Sequence, residues 1–381
     1  ETETLKGAFR AVAKNMESSL EVPTATSARQ IPAKLLIENR AVINGHLART
    51  RGGKVSFTHL IGYALVEALV EMPSMNVRYT FDDKGKPAVE HLAHVGFGLA
   101  IDIPLKDGNR MLMVPVIKEA DTLTFAEFVA AYEDIVKRAR EGKLGAGDFQ
   151  GGTVTLTNPG TIGTTHSVPR LMKGQGSIIG VGATDYPAEW AGASPQRLAK
   201  MGVGKIMTMT STYDHRIIQG AASGELLRMV SRKLAGQDGF YDRVFDSMQV
   251  PYVPYRWERD KEYNEEREKG KPARIVELIH AYRVAGHLAA NTDPLDYKVR
   301  RHPDLNLSTY GLNVWDLDRS FPTGGFGGRD HMTLREILEQ RRDTYTRSTG
   351  IEYMHMVDPA QREWIQEHVE KPWEKPTLET Q

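Results

Sequence analysis

The side chain best suited to chemistry is His215. It sits in Ser211-Thr212-Tyr213-Asp214-His215-Arg216-Ile217-Ile218-Gln219-Gly220, after an alternating strand pattern and before a Gly-Ala-Ala helix start. A turn at a strand end is where a rigid sheet presents an imidazole to a ligand. With an ordinary pKa of about 6.5, an imidazole is matched to deprotonating a thiol at neutral pH. The chain has no cysteine, so that thiol would have to belong to a substrate. If the electrophile is a thioester, attack leaves negative charge on oxygen, and a hydrogen-bond donor must be waiting for it. Thr157 is the candidate donor, closing Gly152-Thr153-Val154-Thr155-Leu156-Thr157-Asn158-Pro159-Gly160, a strand pattern that runs into a Pro-Gly turn. Taken singly neither residue is decisive: a lone histidine is more often structural, and a threonine-rich strand is more often simply a strand.

The elements that must position these residues are readable as periodicities. Leu5, Phe9, Val12, Ala13, Met16 and Leu20 recur at helical spacing before Pro23 and predict an amphipathic helix. A second helix, deeply buried, is predicted from about Thr58 to Met72 on the wide stripe of Leu60, Ile61, Ala64, Leu65, Ala68 and Leu69. Two apolar runs, Val95 to Ile103 and Met111 to Ile117, flank Asp107-Gly108-Asn109 and predict a β-hairpin. Thr124 followed by Glu127 forms a capping-box pattern, and the apolar spacing from Phe125 to Ala139 predicts a helix that stops at Gly142. Strand patterns follow at 152–158, 177–181 and 206–213. This mixture predicts an α/β layered domain over residues 1–245. Residues 246–272, rich in Pro, Tyr and charges of both signs, read as a charged linker, and 273–381 as a mainly helical module interrupted by the glycine-rich stretch 323–328.

Composition removes several classes. Lys plus Arg and Asp plus Glu both number 49 among 381 residues, which argues against a nucleic-acid binder that works by neutralising phosphates. The longest apolar stretch, around Leu60 to Val70, is broken by Glu67 and falls short of the roughly 18 residues of a membrane span. Cytoplasm is the default expectation, and the first residue, Glu rather than Met, leaves the question of a signal peptide open. There is no Walker loop, and Gly180-Val181-Gly182 lacks the third glycine of a dinucleotide fingerprint.

Asp214-His215-Arg216-Ile217-Ile218-Gln219-Gly220 resembles the D-H-R-x-x-D-G signature of the dihydrolipoamide acyltransferases, the central components of 2-oxo acid dehydrogenase complexes. Gly151 to Asn158 resembles their G-G-T-F-T-I-[ST]-N segment, and the likeness extends through 139–144 and 113–117 to Pro23-Thr24-Ala25-Thr26, covering about residues 5–240. The resemblance implies a chloramphenicol acetyltransferase-like, two-layer α/β domain with a mixed sheet. It implies trimers whose site lies at a subunit boundary, entered from opposite ends by coenzyme A and a lipoyl group. It makes His215 the general base and Thr157 the oxyanion donor. One position departs from the pattern: the signature's aspartate is Gln219 here, an amide that hydrogen-bonds but carries no charge.

The tail resembles another family. Residues 281–290 with Asp293-Pro294-Leu295, and then 350–356 and 358–365, are similar to the amino-terminal helical region of 2-oxoglutarate dehydrogenase, the thiamine-dependent first component. His280 and His287, seven residues apart, could suggest a metal pair on one helix, but about 10 Å of rise separates them, so structural roles are expected and no metal site is predicted in this segment. An acyltransferase domain followed by such a start is the order of fused actinobacterial 2-oxoglutarate decarboxylases and dehydrogenases of the tricarboxylic acid cycle. That order implies thiamine diphosphate and Mg2+ bound beyond Gln381, and succinyl as the transferred group. It further implies a lipoyl-bearing acyltransferase and dihydrolipoamide dehydrogenase as partners, and a regulator with a phosphopeptide-binding-type domain. The competing reading is a catalytically weak, trimerising scaffold that assembles and regulates the decarboxylase; Gln219 and the lack of a lipoyl domain motivate it.

Overall fold

The computed structural model describes residues 2, 4, 7–104, 110–258, 265–295, 297 and 299–372. Its helices are α1 (Gly7–Ser19), α2 (Lys34–Arg49), α3 (Phe57–Glu71), α4 (Phe125–Arg140), α5 (Pro195–Met201), α6 (Gly220–Leu234), α7 (Phe240–Ser247), α8 (Glu265–Ala285), α9 (Leu334–Tyr345) and α10 (Pro359–Val369). Its strands are β1 (Thr24–Pro32), β2 (Val77–Phe81), β3 (Pro87–His91), β4 (Phe97–Leu99), β5 (Ile101–Pro104), β6 (Arg110–Met113), β7 (Val116–Ile117), β8 (Val154–Thr157), β9 (Ser177–Val181), β10 (Ile206–Asp214), β11 (Ser320–Pro322) and β12 (His331–Thr333). The chain divides into two compact units, one of Glu1–Leu36, Val55–Pro187 and Lys205–Phe240, the other of Ile37–Lys54, Ala188–Gly204 and Tyr241–Gln381.

The first unit is built on a six-stranded mixed sheet in the order β1-β10-β9-β8-β4-β7. β8 runs parallel to both β9 and β4, and the other pairs are antiparallel. Side chains alternate across a strand, so each strand contributes one set to each face. One set, including Phe97, Val154, Leu156, Ile179, Met207 and Met209, is buried and apolar. Phe97 meets Phe128 of α4 at 5.4 Å between ring centroids, and a Cβ on Gly62 of α3 would lie 2.9 Å from the Phe97 ring. The other set is largely polar or small, with Ile178 and Ile206 as apolar members. Thr26 and Thr212 hydroxyls lie 2.8 Å apart, Thr155 donates to Gln175 at 2.6 Å, and Thr210 donates to the Ser167 carbonyl at 2.8 Å. The alternating Thr-x-Thr pattern of β8 and β10 therefore records a sheet with a helix-covered face and a hydroxyl-lined face.

The helices begin where their chemistry says. Ser56 and Thr124 cap α3 and α4, each accepting from the backbone N–H three residues on, while His59 and Glu127 return a bond to the cap backbone. The predicted hairpin is present as β5 paired with β6 in antiparallel register, Ile101 with Met113 and Pro104 with Arg110. Its Asp107-Gly108-Asn109 turn, like Leu5 of the first helix, lies outside the described residues. α1 forms as the spacing predicts, and Phe9, Val12, Met16 and Leu20 of its apolar stripe are exposed. One expectation needs correcting. His287 does not share a helix with His280, because α8 ends at Ala285 and His287 belongs to a separate 3-10 turn, Gly286–Ala289.

The second unit is mainly helical. Glu38 is nearly fully buried and is gripped bidentately by Arg335, which also bonds Asp318 at 2.7 Å. Lys271 and Arg319 both bond the buried Asp316 at 2.8 Å, and Arg283 holds the buried Glu370 at 2.7 Å. Helix α8 starts at Glu265, so the last part of the charged stretch is helical; residues 259–264 lie outside the described residues. No helix among the described residues is long and apolar enough to cross a membrane.

Candidate active site

β10 ends at the buried Asp214, and the chain turns through His215 before Gln219 starts α6. The turn is held from several sides. The His215 amide donates to the Pro23 carbonyl at 2.9 Å, extending the ladder between β1 and β10 by one residue. The amides of Ile217 and Ile218 donate to the Asp214 carbonyl at 3.2 and 3.0 Å. Arg216 folds back on Asp214, with Nε 2.9 Å from Oδ1 and Nη2 2.6 Å from Oδ2, and this carboxylate holds the guanidinium above its ordinary pKa.

The imidazole is exposed, and its Nδ1 lies 3.1 Å from the Ile218 carbonyl oxygen. A carbonyl oxygen only accepts, so Nδ1 carries the proton in this bond. In the neutral ring Nε2 is then the bare nitrogen, and it is the one free to take a proton. Gln219 makes no side-chain capping bond at the start of α6 and takes no part in orienting the ring. The Ile218 carbonyl was not foreseeable as the orienting group, because nothing in the side-chain pattern marks a backbone acceptor three residues away.

Thr157 closes β8 on the hydroxyl-lined face and is half-buried. The turn after it is anchored by Asn158, whose Nδ2 donates to the Thr58 hydroxyl of α3 at 3.0 Å. His59, the next residue of that first turn, is fully buried, and burial pushes its imidazole down to about 4. The loop beyond lies against β9 and β10: the Ala183 amide donates to the Thr164 carbonyl at 2.8 Å, and the Thr210 hydroxyl reaches the Ser167 carbonyl.

His215 and Thr157 are not brought together within one chain. Thr157 pairs with Gly180, which pairs with Thr210, five residues before His215. Five residues at about 3.3 Å and two strand spacings of about 4.8 Å put the two Cα atoms roughly 19 Å apart. Among the described residues no group of three or more His, Cys, Asp or Glu side chains could hold a metal ion.

The 2-oxoacid dehydrogenases acyltransferase (catalytic domain) family matches residues 1–238 of this chain. The chain belongs to that family. The match spans the whole stretch from α1 through β10 to α6, including both candidate residues. The chain is 56% identical over 384 aligned residues to the multifunctional 2-oxoglutarate metabolism enzyme of Mycobacterium sp. (strain JLS), covering 100% of this chain and 30% of that protein. It is 55% identical over 378 residues to the 2-oxoglutarate dehydrogenase E1/E2 component of Corynebacterium glutamicum, covering 98% and 30%. The chain thus spans about 30% of the length of these curated relatives. Among solved structures, the dihydrolipoamide acetyltransferase of Azotobacter vinelandii superposes with a TM-score of 0.53 at 27% identity, covering 63% of this chain and 94% of that one. That structure belongs to an investigation of a serine, a histidine and an asparagine in the enzyme's catalytic mechanism, the last two four positions apart. The α/β fold is that of an acyltransferase catalytic core, and the chain carries an acyltransferase catalytic domain.

Proposed function

We propose that this domain moves a succinyl group between dihydrolipoamide and coenzyme A, and that it does so with His215 of one copy and Thr157 of another. The bond from Nδ1–H of His215 to the Ile218 carbonyl, which leaves Nε2 bare, is the observation that supports the base assignment most directly. Nε2 takes the proton from the attacking thiol. The thiolate adds to the thioester carbonyl, and the Thr157 hydroxyl donates to the developing oxyanion. Collapse breaks the old carbon–sulfur bond, and the departing thiolate recovers the proton from Nε2–H. The separation of roughly 19 Å within one chain favours a site shared between copies, since one hydroxyl and one imidazole must both lie near the same reacting carbon.

Succinyl specificity, and a thiamine-dependent 2-oxoglutarate dehydrogenase or decarboxylase joined to this domain, are supported by the names of the relatives, of which this chain covers less than a third. In this reading thiamine diphosphate and Mg2+ are held by parts of the protein outside these 381 residues. A lipoyl-bearing component delivers the acyl group and dihydrolipoamide dehydrogenase reoxidises the carrier. Gln219 supports the scaffold alternative less than the departure from the signature suggests, because the A. vinelandii relative is named with an amide residue four positions after a histidine, as Gln219 follows His215.

The test is transfer between succinyl-CoA and free dihydrolipoamide by the wild type, His215→Ala and Thr157→Ala, with mass checked by light scattering. Each variant is expected to fall about 100- to 1000-fold with the oligomer intact. Wild-type oligomers without transfer would overturn the enzyme reading of this segment in favour of the scaffold.

A further inference from the structure

Arg216 sits beside the candidate base, and its guanidinium is also stacked on an aromatic ring. Its Cζ lies 3.7 Å from the centroid of Tyr79 in β2, close enough for a full face-on cation–π contact. The ring belongs to the hairpin of β2 and β3, in which Tyr79 pairs with Val89. That hairpin is itself fixed against the same turn. A Cβ on Gly176 would collide with the Val77 carbonyl oxygen and touch Ile218, so only glycine allows this approach, and the Gly176 carbonyl accepts from the Asp214 amide at 3.0 Å. Asp214 is thus held by Gly176 through its backbone and by Arg216 through its side chain, while Arg216 is held by Tyr79.

We propose that Tyr79 is a positioning residue for the acyl transfer: by packing under Arg216 it locks the Asp214-Arg216 pair, and with it the peptide that carries His215. This rests on the general-base reading of His215. Arg216 is about a third exposed, so without the ring its fork has room to swing into solvent and release Asp214. His215 lies between the two paired residues and moves with them. The contact needs the face of a ring, not the phenol hydroxyl, which separates Tyr79→Phe from Tyr79→Leu. Tyr79 touches no reacting atom in this account, so its loss lowers turnover and leaves the binding of coenzyme A alone.

The test uses the full chain in two measurements. In succinyl transfer, Tyr79→Leu is expected to lower kcat about 10- to 100-fold with KM for coenzyme A unchanged, and Tyr79→Phe to stay within about twofold of wild type. In amide hydrogen exchange followed by mass spectrometry, Tyr79→Leu is expected to speed exchange in the peptide spanning Asp214 to Gln219, and Tyr79→Phe is not. A Tyr79→Leu protein with wild-type exchange in that peptide overturns the proposal whether or not the domain transfers an acyl group. So does a Tyr79→Phe protein that falls as far as Tyr79→Leu. A His215→Ala protein with undiminished transfer refutes the general-base reading and is distinguished by leaving the exchange result unchanged.

Discussion

Lowering the pH should weaken the first unit through one buried histidine, by an amount that the structure sets. His59 is fully buried at the third position of α3. Its Nδ1 accepts from the Ser56 amide at 3.2 Å, so the neutral ring must leave Nδ1 bare, and protonating that nitrogen breaks the cap. Nε2 faces the half-exposed carboxylate of Glu133 at 3.1 Å. Burial takes the imidazole from 6.5 down to about 4. The unfolded chain therefore binds the proton more tightly than the folded one. The stability due to the neutral ring is complete above about pH 6.5 and is lost as the pH falls toward 4. At about 1.36 kcal/mol per unit, a difference of 2.5 units is worth at most about 3 kcal/mol, of which about 2 kcal/mol should disappear between pH 7 and pH 5. Urea unfolding followed by far-ultraviolet circular dichroism at the two pH values, for wild type and His59→Gln, isolates this share. Glutamine keeps an acceptor for the Ser56 amide at the preferred capping-box position but cannot titrate. The wild type should lose about 2 kcal/mol more than the variant over that interval; parallel losses would refute the linkage.

Three further outcomes follow from the same geometry. Gly176→Ala forces the β2 and β3 hairpin away from the His215 turn and should destabilise the chain by about 1 to 3 kcal/mol in thermal unfolding while lowering transfer. Gln219→Asp restores the signature residue at a position whose side chain caps nothing, and should change transfer by less than about threefold in the succinyl assay. Arg335→Ala leaves the buried Glu38 without its bidentate partner and should cost the second unit about 3 kcal/mol. Every described tryptophan (Trp190, Trp257, Trp315 and Trp364) belongs to the second unit, so tryptophan fluorescence in urea reads that loss directly.

The fold was legible where periodicity is strong. α4 declares itself by its capping box and apolar stripe, and β9 and β10 by their strand patterns, each within a residue or so of its sequence-based limits. Several elements escaped, β1 and α2 among them. β1 alternates small polar residues along a sheet edge, so no apolar period marks it. α2 contains Asn39, Asn44 and Gly45, which lower its helical propensity, and its Glu38 and Asn39 are explained only by Arg335 and Tyr255, roughly 200 to 300 residues away. The candidate site is proposed from residue types, and its geometry could not be read from them. The Asp-His-Arg string points to the proposed base; the Ile218 carbonyl, Tyr79 and the sheet register that separates His215 from Thr157 are facts of three-dimensional pairing.

That separation makes the central claim directly testable by complementation. His215→Ala and Thr157→Ala, each nearly inactive alone, should be co-expressed with different tags and purified as mixed oligomers. If every site takes its base from one copy and its oxyanion donor from another, random mixing in equal amounts leaves one half times one half of the sites intact, about a quarter of wild-type transfer per site. Recovery to that level is the predicted result. Mixed oligomers no more active than either variant alone would contradict a site shared between copies.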